Sequence, residues 1–371
     1  MTGLYIHIPF CASRCIYCGF FSTTRHAMRD RYVDALRREM ALRNGYLHDD
    51  IHTIYIGGGT PSMLSEEQLR RLFDDIDCSR AEEITMECNP DDITPAYAAA
   101  IGRLPVNRVS MGAQTFSDSR LRFLRRRHGS ADISRAVTLL REAGISNISI
   151  DLMYGFPGET MKEWNDDITR ALALDVEHLS AYCLMYEEDT PLHRMLLEGK
   201  VTEIDEELSS AMYSTLIDRL AAAGYEHYEI SNFARPGRRS RHNSSYWTAI
   251  PYIGIGAAAH SFDGASRQWN ITDIDKYVTS IERGEIPMER EELDRDMRFN
   301  DTVMLRLRTC EGMDLDALAR DFGPEYLNGC LSAAQRYIAD AMLERTTDNR
   351  LRLTRRGLFV SDMIMSDLMR V

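Results

Sequence analysis

No stretch of this 371-residue chain approaches 18 consecutive apolar residues, so no helix is expected to span a membrane. Positive charge is in deficit. The 44 lysines and arginines face 57 aspartates and glutamates, a net charge of −13. A chain of that balance is expected not to bind nucleic acid broadly. Long internal repeats and low-complexity tracts are missing, which excludes repeat arrays and disordered tethers. Eight cysteines are too sparse for a disulfide scaffold, and five of them (Cys78, Cys88, Cys183, Cys310, Cys330) stand alone. The chain opens almost directly on a strand-like run, without a basic or transit-like leader, so a reducing, cytoplasmic compartment is expected. The 44% apolar content is ordinary for a globular protein, and the 19 methionines read as pliable core filler.

The other three cysteines carry the chemistry. Cys11, Cys15 and Cys18, spaced C-x3-C-x2-C, follow the apolar run Leu4-Tyr5-Ile6-His7-Ile8. Three thiolates on one tight loop can hold three irons of a 4Fe-4S cube and leave the fourth iron open to a small ligand. The competing reading is structural zinc, which wants four closed ligands. No second knuckle exists, and His7, the nearest candidate for a fourth ligand, lies on the strand itself.

Six short β-branched runs alternate with amphipathic stretches over the first 185 residues. The strand-like runs are Leu4–Ile8, Thr53–Ile56, Glu83–Glu87, Arg108–Met111, Asn147–Leu152 and Glu177–Tyr182. Ser65 with Gln68 three residues on reads as a capping box. Strand–helix units in series argue for parallel strands with right-handed crossovers. Six units are too few for a closed eight-stranded barrel, so the expected fold class is α/β, an open partial TIM-like (β/α)6 barrel with ligands at the strand C-termini. A doubly wound sheet is the alternative. The alternation loosens after Tyr182. The expected division is a barrel domain over residues 1–280, a charged linker over 281–295 and a small helical, winged-helix-like domain over 296–371. In that last segment Leu351–Thr354 alternates like an edge strand.

Each strand end carries a group fit for a ligand. Gly57-Gly58-Gly59-Thr60-Pro61 follows the second strand and exposes backbone amides, although a glycine run alone is weak support. Glu87 ends the third strand, Gln114 follows the fourth with Arg126 twelve residues on, and Asp151 ends the fifth. Read singly, Glu87 is as well explained as a satisfied strand-end polar residue, and arginines 125–127 as a solvated helix face. Five consecutive strand ends of this kind are hard to attribute to chance.

The cysteine spacing resembles the radical S-adenosylmethionine (SAM) superfamily. Tyr5-x-His7-Ile8-Pro9-Phe10-Cys11, GGGTPS, SMGAQTF and DLMYGFPGET are similar to its oxygen-independent coproporphyrinogen III oxidase subgroup. The resemblance implies a 4Fe-4S cluster on Cys11, Cys15 and Cys18. It implies SAM on Tyr5, Gly58, Gly59, Thr60, Glu87, Gln114, Arg126 and Asp151, and an electron donor to the cluster. The oxidative decarboxylases of the subgroup usually carry a fourth cysteine two residues after the third, and a longer N-terminal extension. Here Phe20 occupies that position beside the cluster. Both departures point to the heme chaperones of the subgroup, as does His242-Asn243-Ser244-Ser245-Tyr246-Trp247, which is similar to their H-N-x-x-Y-W motif. The resemblance then implies heme, with His242 as candidate ligand, and a heme-acceptor protein, in this family a respiratory protein at the membrane. His260 is a second-choice ligand. The basic loop Arg235–Arg241 either pairs with heme propionates or is simply solvated.

Overall fold

The computed structural model describes residues 2–43, 45–46 and 50–370. Six strands, β1 (Thr2–Ile8), β2 (Ile51–Gly58), β3 (Glu83–Cys88), β4 (Arg108–Gln114), β5 (Asn147–Tyr154) and β6 (His178–Cys183), lie parallel and side by side in chain order. Helices α1 (Arg29–Leu42), α2 (Glu66–Phe73), α3 (Pro95–Ile101), α4 (Asp118–Phe123), α5 (Ser130–Glu142) and α6 (Met161–Ala173) fill the crossovers. The sequence expectation of an open six-unit barrel holds, with boundaries within three residues throughout. The capping box forms as read: Gln68 N donates to Ser65 Oγ at 3.2 Å, and Ser65 N donates to Gln68 Oε1 at 3.0 Å. It fixes the start of α2 and so the length of the turn after β2.

The strands alternate, and the alternation separates packing from chemistry. Ile54, Ile56, Ile84, Met86, Val109, Met111, Ile148, Ile150, Leu152 and Leu179 point outward, buried under the helices. Between them Tyr55, Glu87, Arg108, Ser110, Gly112, Asp151, Ser180 and Tyr182 turn inward and line a cavity. A period of two on strands whose outer face is already covered thus leaves a polar barrel lumen.

Six further strands extend the sheet beyond the six expected. After α7 (Pro191–Leu197) and α8 (Glu206–Ala222), β7 (Glu226–Glu229) and β8 (Asn232–Ala234) add antiparallel on β6. The helix α9 (Arg241–Trp247) follows. Then β9 (Tyr252–Ile255) joins β1 in parallel, and β10 (His260–Phe262), β11 (Ser266–Asn270) and, after α10 (Ile274–Glu282), β12 (Met288–Glu292) continue antiparallel. The strand β12 lies within residues 281–295. Its sequence, Met-Glu-Arg-Glu-Glu, puts charge on a sheet edge, where charge discourages pairing with other chains.

Residues from Phe299 to Leu368 form a second hydrophobic core. It contains α11 (Arg295–Leu307), β13 (Met313–Asp314), α12 (Leu315–Ala339), β14 (Leu343–Arg345), β15 (Arg350–Leu353), α13 (Arg355–Leu358) and α14 (Ser361–Leu368). Gly323 at φ 77° and Pro324 break α12 into two helical stretches. β15 is the middle strand of its sheet, between β13 and β14, and not an edge. With Leu351 buried and Arg352 exposed, a half-covered central strand has the same alternating pattern as an edge. Among the described residues no helix is long and apolar enough to cross a membrane.

Candidate functional site

The thiol loop is shaped without help from its sulfurs. Its two ends are clasped by Thr23 N to Pro9 O at 2.7 Å and Cys11 N to Thr23 O at 2.9 Å. Its middle is pinned by Ile16, which is 2% exposed in a small core with Leu124, Met153, Phe156, Leu184 and Leu192. Ile16 also donates to Leu124 O at 3.3 Å and accepts from Leu192 N at 3.0 Å. The three cysteines are half-buried free thiols on one wall of a cavity of about 650 Å³ at the C-terminal ends of the strands. Burial pushes the Cys11 and Cys18 thiols up from their ordinary range. Among the described residues no three histidine, cysteine or acidic side chains are placed to hold one metal ion together. A cube takes each thiolate on a different iron, so the thiols of such a site need not converge.

The glycine turn lies against this loop. A Cβ on Gly59 would stand 2.8 Å from the Pro9 carbonyl carbon and 3.0 Å from Cys11 Sγ. Gly58, at φ 114°, would meet the His7 ring at 2.6 Å. Only glycine allows this approach. His7 is the post between turn and loop. Its Nε2–H donates to Phe21 O at 3.0 Å, and its Nδ1 accepts from the Tyr5 hydroxyl at 3.0 Å. Burial lowers its pKa to about 4, so the ring is neutral. His7 is therefore committed to holding the loop and is not a fourth metal ligand. Tyr5 stacks on Tyr55 and lies behind the cavity wall, while Phe20, Gly58, Gly59, Thr60, Glu87, Gln114, Arg126 and Asp151 all line it.

Thr60 Oγ1 donates to Cys11 Sγ at 3.5 Å, and Arg126 Nη1 lies 3.7 Å from Cys15 Sγ. Arg126 is anchored by Asn89 Oδ1 and Gly112 O, both at 2.7 Å, and its Nε has no partner among the described residues. Gln114 sits past a bulge at φ 64°, a strained conformation for a non-glycine residue. Glu87 accepts from the Tyr55 hydroxyl at 2.7 Å and from Gly58 N at 3.1 Å. Burial, with Asp151 adding its negative charge, still pushes Glu87 up to about 7, and burial raises Asp151 as well. Phe20 is 70% exposed at the mouth, beside Met185.

Glu87 therefore titrates in an accessible range, and the sign follows from linkage. With its native pKa above its unfolded value, its cost to the fold is absent below the unfolded pKa and complete above about 7. Glu87→Gln is expected to raise the melting temperature by a few degrees at pH 8 and to leave it unchanged at pH 4. Equal shifts at the two pH values would show that Glu87 titrates normally.

Arg108 is the site residue that sequence reasoning missed. It is 1% exposed, lines the cavity floor and makes one weak bond, to Thr85 Oγ1 at 3.5 Å. Its signal was the period: Arg108, Ser110, Gly112 and Gln114 share a face, against Val109, Met111 and Ala113.

His242 lies elsewhere. It is fully buried under the barrel, against Gly3, with Nδ1 2.9 Å from Thr53 Oγ1 and Nε2 2.8 Å from the Tyr246 hydroxyl. Glu83 accepts from Arg241 N and His242 N and fastens the start of α9. Burial lowers the His242 pKa to about 3. His260 is exposed on β10 and stacks on Trp269. In the basic loop Arg235 pairs with Asp175, Arg239 with Glu226 and Glu311, and Arg241 with Glu82.

The radical SAM superfamily model matches residues 5–171, and the HemN C-terminal domain model matches residues 293–360. The heme chaperone HemW of Bacillus subtilis is 34% identical over 98% of this chain and 98% of its own. That of Mycobacterium tuberculosis is 33% identical over 99% and 94%. The structure of coproporphyrinogen III oxidase (HemN) from Escherichia coli superposes with a TM-score of 0.86 at 22% identity, covering 99% of this chain and 90% of that one, a likeness of fold.

Proposed function

The chain belongs to the radical SAM superfamily, in the family of the heme chaperones HemW, and from that premise we propose that it binds heme and hands it to an acceptor protein. A 4Fe-4S cluster and SAM are its cofactors. Cys11, Cys15 and Cys18 hold the cluster, and Gly58, Gly59, Thr60, Glu87, Gln114, Arg126 and Asp151 hold SAM, with Tyr5 supporting the turn through His7. The cavity supports this assignment. Gly59 stands where a Cβ would press on Cys11 Sγ, and Arg126 Nε is buried without a partner among the described residues. When bound, a reduced cluster of this type splits SAM into methionine and a 5′-deoxyadenosyl radical. The protein's own groups bind and orient. Glu87 and Asp151 offer acceptors to ribose hydroxyls or an ammonium, and Arg126 and the turn amides offer donors.

The carrier reading rests on Phe20, which stands where the oxidase subgroup places a fourth cysteine. The proposed setting is cytoplasmic, with a separate electron donor and with a membrane respiratory protein as acceptor. Residues 1–280 and 296–371 are taken as the barrel and winged-helix-like domains. The alternative is the oxidative decarboxylase whose fold this chain shares.

Cluster-reconstituted protein given SAM, reductant and coproporphyrinogen III under anaerobic conditions separates the two, with a parallel heme titration by absorption. Saturable heme binding without a vinyl product is expected. Vinyl product with methionine release would overturn the carrier reading. His242 enters as the heme ligand, which requires its ring to leave Thr53 and Tyr246. His242→Ala is expected to shift the heme absorption band. An unchanged spectrum removes His242 from the site and leaves heme binding standing.

A further inference from the structure

A second cavity, of about 740 Å³, lies between the barrel and the C-terminal unit, away from the thiol loop. It is comparable in size to the first and within the ~300–1,000 Å³ range of ligand pockets. Its barrel side carries Tyr246 and Trp247, the aromatic end of the α9 motif, and its far side is α11 with the start of α12. Trp247 is half-buried, and its Nε1–H is buried without an acceptor among the described residues. The first cavity already has a cluster and SAM to hold, which leaves the second for a ligand as broad as a porphyrin.

The charges here are unevenly matched. Arg267 is paired with Asp301, and Arg350 with Asp314 and Asp348. Arg298 and Arg306 also line the cavity, and among the described residues neither has a carboxylate within ion-pair distance. Each makes a single bond to a backbone carbonyl, Arg298 to Asp294 O at 3.4 Å and Arg306 to Thr248 O at 3.2 Å. The two are eight residues apart on one helix, about 12 Å along its axis. Burial, with Arg350 nearby and Asp314 only partly opposing it, lowers the pKa of Arg306, and an anion there would favour its charged form. Asp301, Asp314 and Asp321 also line the cavity but are paired with Arg267, Arg350 and Arg320, so two guanidiniums without an ion-pair partner among the described residues face an aromatic wall and suit a ligand that is flat, apolar and twice negative.

Resting on the heme reading, we propose that the porphyrin seats in this inter-unit cavity, with its face on Tyr246 and Trp247 and its two carboxylates on Arg298 and Arg306. The C-terminal unit then supplies the carboxylate-binding side of the heme site. His242 stands one hydrogen bond behind the Tyr246 hydroxyl.

The test is a titration of the full-length protein with heme and with heme dimethyl ester, comparing the parent with the Arg298→Gln/Arg306→Gln double variant. Arg298 is exposed and Arg306 half-buried, and each makes a single bond to a backbone carbonyl, so the fold should survive, and a thermal melt checks it. The double variant is expected to bind heme ~10–100-fold more weakly, the loss of charged hydrogen bonds, and to bind the ester as the parent does. Trp247→Ala is expected to weaken both ligands. Unchanged heme affinity in the double variant, or equal loss for heme and ester, overturns the site and leaves the carrier reading intact. A parent that binds no heme overturns both.

Discussion

Serine in place of Cys11, Cys15 or Cys18 is expected to leave a folded chain that has lost its cluster. Iron should fall from about four per chain toward zero after reconstitution, and the broad visible absorption of the cluster should go with it. SAM affinity should collapse in the same samples, since the open iron is gone. The fold should persist because the loop does not depend on sulfur. Its clasp runs through Thr23 and Pro9, its anchor is Ile16, and the contacts to sulfur from Thr60 and Arg126 are long, 3.5 Å and 3.7 Å. Heme binding measured in parallel should survive if heme occupies the inter-unit cavity. Full iron retention in any one serine variant would mean a different ligand set. A variant that melts far below the parent would mean that the sulfurs, and not Ile16, organise the loop.

The barrel was legible because each of its strands follows one rule at short range. An apolar β-branched run, a turn with glycine or a capping residue, and an amphipathic helix repeat six times, so strand bounds, crossover helices and site positions emerge together. Gly58, Gly59, Glu87 and Asp151 were found because parallel topology puts ligand groups at strand C-termini, and Phe20 because it breaks a spacing. The rest was hidden for two reasons. The extra strands β7 to β12 are three to five residues long and owe their existence to a neighbour's edge, a long-range fact with no local pattern. Arg108 sits inside a strand pattern, where one polar residue is easily read as an interruption. His242 shows a different limit. A motif marks which residues act together and does not say which way they face, and in this fold its histidine packs inward on Tyr55 while Trp247 opens on the second cavity.

Glu39 makes the same point energetically, and its removal is expected to be among the most damaging substitutions in the chain. On α1 it reads as one more charge on a solvated helix face. In the fold it is fully buried and accepts four bonds: from Arg43 Nε at 2.8 Å, Asn270 Nδ2 at 2.7 Å, Gly256 N at 2.8 Å and the Tyr277 hydroxyl at 2.6 Å. These ties hold α1, α10, β11 and the small-residue run after β9 to one another. The run must come close: a Cβ on Gly256 would meet the His7 carbonyl oxygen and the Tyr32 hydroxyl at 2.7 Å. Glu39→Ala strands the Arg43 guanidinium in the core and frees three more donors, so a loss of about 3–5 kcal/mol is expected in denaturant unfolding. Because β9 pairs with β1, whose end carries the thiol loop, the cluster should also be lost faster on storage. Glu39→Ala/Arg43→Met removes both charges and should recover part of the loss, since an apolar pair costs less to bury than an unpaired ion. Recovery would assign the damage to the orphaned charge. A double variant as unstable as the single one would assign it to the three neutral donors, and thus to the register in which β9 is held against the cluster strand.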